Sequence, residues 1–217
     1  MNGFFPLILS SPSGGGKTTI ARELLRRRGD LGYSVSATTR PARQGEVDGQ
    51  DYFFLTADEF DAARERGEFA ESAEVHGNMY GTLRREVDRV LASRKHVVMD
   101  IDVQGARQFV EAYPESVLVF LIPPDAEILL SRLQGRGTES AETLARRLKS
   151  AVEELRAVDL YGYLVVNEDL DEAVRSVSSI VDGESKRLSR LDEVHSRIGA
   201  MVTDLESELE KMNRRVR

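Results

Sequence analysis

The chain has no cysteine and no tryptophan among its 217 residues. The missing thiols exclude disulfides, thiolate nucleophiles and cysteine metal sites, and they fit a reducing compartment. Histidine is almost as scarce: His76, His96 and His195 are scattered with no metal-ligand spacing. No stretch approaches the ~18 apolar residues of a membrane span, and the opening MNGFFPLILSSPSGG has no basic region ahead of its short apolar run. Neither a span nor a secretory leader is expected, and the cytoplasm is the corresponding location. Positive charge is the scarcer sign, with 30 Lys and Arg against 37 Asp and Glu, a formal net charge of -7. Binding to nucleic acid or to an anionic membrane is therefore not expected, and an anionic ligand must find a local basic site.

The residues that are present, 41% apolar and 31% charged, suit one α/β domain with a real core. Strand-like runs at Phe5 to Ser10, Tyr33 to Ala37, His96 to Asp100, Val117 to Ile122 and Tyr163 to Val166 alternate with helical runs. The helical runs are Thr18 to Arg28, Val103 to Tyr113, Ala126 to Gln134, Ala141 to Arg156 and Leu170 to about Val181. That rhythm predicts a parallel sheet flanked by helices, formed by residues 1–37 and 93–183. Residues 38–92 interrupt it with short strand-like pieces, Tyr52 to Leu55 and Phe69 to Val75, and two helices. One helix opens at the capping box Thr56 to Glu59 and the other covers Arg84 to Leu91. Such an insertion would stand over the carboxyl ends of the strands. Residues 184–217 read as a charged, aromatic-free helical tail.

The segment Ser10-Ser11-Pro12-Ser13-Gly14-Gly15-Gly16-Lys17-Thr18-Thr19 follows a strand and opens a helix, the context of a Walker A loop. Glycines let successive N–H groups turn inward around a phosphate, Lys17 can reach the β and γ oxygens of ATP, and Thr18 can bind Mg²⁺. Ser11 stands where the pattern has its first glycine, which serine tolerates if φ stays negative. A plain Gly-rich turn with an exposed lysine is the alternative. The run His96-Val97-Val98-Met99-Asp100 has the form of a Walker B strand, whose terminal carboxylate holds Mg²⁺ directly or through water. An ordinary strand-end Asp is the commoner event, but beside a phosphate loop the metal role is preferred for Asp100. Arg40 and Arg43, with Tyr52 following, offer two guanidinium forks and a phenol, a sensible clamp for a monophosphate. A solvated basic loop is the alternative there.

At these residues the chain resembles guanylate kinases over about residues 5–183. The matching stretches are SSPSGGGKTT, SVSATTRPARQGEVDGQDYFF, GEFAESAEVHGNMYGT, VVMDIDVQGA, SRLQGRGTES and VVNEDLDEA. The resemblance implies a P-loop fold with an inserted GMP-binding region, a lid at about residues 132–147, and transfer of the γ-phosphoryl group of ATP to GMP with Mg²⁺. It implies that Ser13 to Thr19, including Gly14, Gly15, Gly16, Lys17 and Thr18, hold ATP, and that Arg40, Arg43, Tyr52 and Tyr80 hold the GMP phosphate. The family pattern assigns Glu71 and Asp102 to the guanine N–H donors, and Ser36 and Thr82 to its O6. Adenine would set an unprotonated ring nitrogen against a carboxylate, which such a site rejects. Arg132 and Arg136, with Gly135 and Gly137 as hinge, and Arg147 resemble the lid that meets charge on the transferring group; Arg146, adjacent to Arg147, could face inward instead. Catalytic roles thus fall to Lys17, Arg40, Arg132, Arg136 and Arg147. Two rivals remain: a non-catalytic interaction module of the same fold, expected to have lost loop and lid residues that this chain keeps, and a related small-molecule kinase with no need for the base readers.

Beyond the resemblance, Leu188, Leu191, Val194, Ile198, Met201, Leu205, Leu209 and Met212 recur at three- and four-residue spacing. The stripe fits packing on the core, self-association or a frayed tail. The reading adopted is a homodimer through the C-terminal helix.

Overall fold

In a computed structural model, residues 3–75, 77–134 and 141–215 are described. Strand β1 (Pro6–Ser10) runs into helix α1 (Lys17–Arg27), followed by β2 (Leu31–Tyr33) and β3 (Ser36–Thr38). Next come β4 (Phe53–Phe54), α2 (Ala57–Glu65), β5 (Phe69–Val75), β6 (Asn78–Leu83) and α3 (Arg84–Ala92). The chain continues through β7 (His96–Asp100), α4 (Val103–Ala112), β8 (Val117–Ile122), α5 (Ala126–Gln134) and α6 (Ala141–Arg156). It ends with β9 (Tyr163–Val166), α7 (Leu170–Ser185) and α8 (Asp192–Arg215).

The first sheet has strand order β2-β7-β1-β8-β9, all parallel. Its central strands are apolar on both faces because helices cover both, and alternate residues go to alternate layers. From β1, Leu7 and Leu9 join Ile20 and Leu24 of α1 and Val174, Val177 and Val181 of α7. Ile8 points the other way, to Val87 and Val90 of α3 and Phe109 of α4. The expected α/β architecture with a parallel sheet flanked by helices is what the chain forms.

The second sheet has order β4-β3-β6-β5, with β3 antiparallel to β6 and β6 antiparallel to β5. It packs on α2 through Ala37, Phe60, Ala63, Phe69 and Leu83, and the rings of Phe60 and Phe69 stack at 4.4 Å. Helix α2 is opened by the capping box expected: Thr56 Oγ1 accepts from Glu59 N–H at 3.2 Å, and the Glu59 carboxylate accepts from Thr56 N–H at 2.8 Å.

Two expectations about elements change. The run Tyr33 to Ala37 is not one strand: it divides into β2, which pairs with β7, and β3, which pairs with β4 and β6. The pause at Ser34-Val35 carries the chain from one sheet to the other. Helix α7 also continues past Val181 to Ser185, because Glu184 is buried and holds Arg190 at 2.9 Å and Tyr163 Oη at 2.5 Å. No helix among the described residues is long and apolar enough to cross a membrane.

Candidate active site

Parallel pairing of β1 with β7 brings their carboxyl ends together, so the loop after Ser10 and the carboxylate of Asp100 face the same space. A cleft of about 950 Å³ opens there, and the second sheet forms its opposite wall. Ser13, Gly14, Gly16, Lys17, Thr18 and Thr19 line the first side.

The loop takes its shape from backbone conformations that only glycine adopts freely. Gly16 has φ 93°, and a Cβ there would stand 2.4 Å from Asn167 Nδ2, which itself donates to Gly15 O at 2.9 Å. Helix α1 begins at the next residue, with no acidic side chain in its first turn, so its first N–H groups and positive dipole end face the cleft. Thr18 Oγ1 donates to Asp100 Oδ2 at 2.6 Å. A hydroxyl and a carboxylate oxygen so placed fit a Mg²⁺ ion, which takes few protein oxygens and completes its shell with phosphate and water.

The opposite wall follows from strand register. Ser36 of β3 is abreast of Thr82 of β6, which is abreast of Glu71 of β5. Three residues separated by up to 46 positions in the chain thus form one row, with Tyr80 two residues from Thr82 on the same face of β6. Thr82 Oγ1 donates to Glu71 Oε1 at 2.7 Å, while Glu71 itself is only 7% exposed. Burial, and secondarily the nearby Asp102 carboxylate, push the Glu71 carboxyl up to about 7, although the Thr82 hydrogen bond opposes the shift. Asp102 caps α4, accepting from Gly105 N–H at 2.7 Å through Oδ1. Ser36, Tyr52, Glu71, Tyr80, Asp100 and Asp102 all line the cleft, whereas Thr82 stands behind Glu71.

Arg40 and Arg43 lie off that lining. The Arg40 fork is engaged by Glu46 through two bonds of 2.9 Å and lies over the Tyr52 ring at 5.5 Å, so a phosphate arriving there must compete with a carboxylate. The backbone N–H of Arg43 donates to the same Glu46 at 2.7 Å, and its side chain is exposed.

A third contribution comes from α5 and α6. Arg132 lines the cleft and donates to Asn167 O at 3.2 Å. Arg146 and Arg147 both line it too, so neither displaces the other. Arg147 donates to Leu133 O at 3.0 Å and to Ser13 Oγ at 3.2 Å. Arg136, Gly135 and Gly137 lie outside the described residues.

Sequence reasoning missed several residues. Glu154 accepts from Ser13 N–H at 3.1 Å, and burial raises its carboxyl although Lys17 acts against the shift. It lies seven residues after Arg147, with Ser150 between, and that two-turn spacing on α6 was the available signal. Tyr33 Oη donates to Asp100 Oδ1 at 3.3 Å, and burial followed by the Asp100 charge raises its phenol. Asn167 supports the loop from the end of β9; it lies in the stretch VVNEDLDEA, which gave no hint of its bond to Gly15 O.

Comparison with known proteins bears on what this cleft does. Residues 4–184 match the family model described as guanylate kinase. A guanylate kinase of Caldanaerobacter subterraneus is 43% identical over 192 residues, covering 88% of this chain and 93% of that protein. A guanylate kinase of Symbiobacterium thermophilum is 47% identical over 184 residues, covering 85% of this chain and 87% of that one. The crystal structure of guanylate kinase from Anaplasma phagocytophilum superposes with a TM-score of 0.71 at 34% identity, covering 88% of this chain and 90% of that chain. Agreement of this breadth, in sequence and in fold, means that the chain belongs to the guanylate kinase family.

Proposed function

We propose that the chain transfers the γ-phosphoryl group of ATP to GMP, and to dGMP, giving ADP and the nucleoside diphosphate. The observation that carries this reading is one cleft with two unlike walls: a glycine-built phosphate loop on one side, and the row Ser36, Thr82 and Glu71 with Asp102 on the other.

ATP lies along the loop, its phosphates held by backbone N–H groups from Ser13 to Thr19 and by Lys17. Mg²⁺ bound with ATP, held by Thr18 and Asp100, supplies charge neutralisation at the phosphates. GMP lies against the second sheet. Its base gives N–H donors to Glu71 and Asp102 and takes a hydroxyl donor from Ser36, while Thr82, behind Glu71, spends its hydroxyl on holding that carboxylate. Its phosphate is held by Tyr52 and Tyr80, with Arg40 released from Glu46 and Arg43 turned inward.

The attacking atom is a phosphate oxygen of GMP, ionised at neutral pH, so no strong general base is required. Catalysis then consists of in-line positioning and of meeting charge with Lys17, Arg132, Arg136 and Arg147. Residues 132–147 act as a lid that keeps water from competing with GMP. By the same reading, the exposed stripe Ile198, Met201, Leu205, Leu209 and Met212 on α8 seats a second copy of the chain, since identical faces at three- and four-residue spacing interlock. The proposed location is the cytoplasm.

A coupled assay of ADP release over GMP, dGMP, AMP, CMP, UMP and ribose bisphosphates tests the reaction. GMP and dGMP should turn over and AMP should be slower in kcat/KM by ~10⁴ or more. Equal rates with AMP, or ADP release independent of any acceptor, would remove the assignment.

A further inference from the structure

We propose that Gln108 is a positioning residue for base recognition: it ties α4 to the open edge of β5 and thereby sets the separation of Glu71 and Asp102. This rests on the reading of those two carboxylates as the guanine readers and adds what holds them in register.

Strand β5 is the last in the order β4-β3-β6-β5, so β6 pairs with one of its edges and no strand among the described residues covers the other. Backbone groups on such an edge need partners. Ser72, opposite Gly81 of β6, turns both its polar groups outward, as every second residue of an antiparallel pair does. Gln108 meets both. Its Oε1 accepts from Ser72 N–H at 3.1 Å and its Nε2 donates to Ser72 O at 3.1 Å. A primary amide carries an acceptor and a donor side by side, so one glutamine replaces the strand that is missing there.

The location gives these bonds their consequence. Glu71 immediately precedes Ser72, and Asp102 caps the helix that carries Gln108. The pair of bonds therefore joins α4 to the edge of the second sheet where the two carboxylates converge. Gly105 and Gln108, three residues apart on α4, share the face turned to β5. A Cβ on Gly105 would come within 2.8 Å of Glu71 Oε2. The helix thus offers empty space to the carboxylate and an amide to the strand edge. Ala70, Ala106 and Phe109 pack together beneath, but apolar contact resists sliding along the strand less than two directional bonds do. Gln108 does not itself line the cleft, so its loss removes no ligand contact.

The test is Gln108→Met, which keeps length and helix propensity and removes both bonds. Steady-state kinetics are measured with ATP, GMP and inosine monophosphate, which lacks the 2-amino donor of guanine. The expected result is a KM for GMP raised about tenfold, a KM for ATP within about twofold, and a GMP over inosine monophosphate preference reduced about tenfold, as a displacement near 1 Å would cause. Gln108→Glu, which keeps the acceptor for Ser72 N–H and loses the donor to Ser72 O, should fall between Gln108→Met and the parent. It also provides a readout if the methionine variant folds poorly. Unchanged preference in both variants, with Glu71→Gln still eroding it, overturns the inference and leaves the base reading standing. Parallel losses for ATP and GMP at unchanged preference would mean general damage and also overturn it. If Glu71→Gln leaves the preference intact as well, the base reading itself has failed.

Discussion

Along the phosphate loop many of the groups turned to the cleft belong to the backbone, whereas on the second sheet they belong to side chains carried by adjacent strands. The difference decides how each wall responds to change. At Gly16 any side chain acts through conformation, since φ is 93° and a Cβ would strike Asn167 Nδ2. At Glu71, under the proposed reading, a change acts through chemistry, because there the carboxylate oxygens themselves meet the base. A backbone cradle suits a polyphosphate, which is the same on every nucleoside triphosphate. A row of acceptors and hydroxyls suits the edge of a base, where specificity lies.

Removing the charged side chain from the first wall should have the largest effect. Lys17→Ala should lower kcat by about 10³-fold or more, since it removes charge stabilisation at the transferring group, while circular dichroism and the melting temperature stay near those of the parent. Activity within a few-fold of the parent would break the assignment of that wall to ATP.

On the second wall the effect appears first in stability. The Glu71 carboxyl is raised to about 7 by burial, so the folded state holds its proton more tightly than the unfolded chain does. Stability from this group is full below about pH 4.5 and is lost progressively as pH rises to about 7. Ligand-free Glu71→Gln, neutral at every pH, should therefore be more stable than the parent by on the order of 2 kcal/mol at pH 8 and equal to it at pH 4. Guanine N–H donors favour the ionised form, so GMP affinity of the parent should rise over the same window. Denaturation at the two pH values checks the first statement, and a difference independent of pH would contradict it.

How much of each wall could be read in advance follows the same division. The loop is contiguous, and Ser13 to Thr19 with Asp100 were legible because strand, glycines and helix start are local signals. Strands β7 and β8 were legible for a related reason, as unbroken apolar runs covered on both faces, and β9 as a short apolar run, although at the sheet edge its Leu164 and Val166 are exposed. Strand β6, NMYGTL, was not: it carries Gly81 and owes its extended form to partners on both sides. With β6 unseen, the row Ser36, Thr82 and Glu71 could be assembled only through family resemblance. Glu154, Asn167 and Gln108 escaped because each acts on backbone groups distant in sequence, which no motif spells out.

The smallest catalytic effect is expected away from both walls. No described residue of α8 lines the cleft, and Glu184 and Arg190 anchor the chain before it. Truncation after Leu191 should leave kcat within about twofold and shift the mass in light scattering from dimer to monomer. Truncation after Gly183 would also strip Glu184 from Tyr163 and so confound fold with assembly. An unchanged mass after Leu191 would exclude α8 as the seam.

Acceptor selectivity, measured as kcat/KM for GMP and for AMP in the parent and in Glu71→Gln under identical ATP, is the most direct test of the two walls. The amide keeps the shape of the carboxylate but can present a donor where guanine also donates. The preference for GMP should therefore fall by about 10²-fold or more, with KM for ATP nearly unchanged. A preference that survives intact in Glu71→Gln, or that falls together with ATP affinity, would contradict a cleft whose two walls read phosphate and base separately.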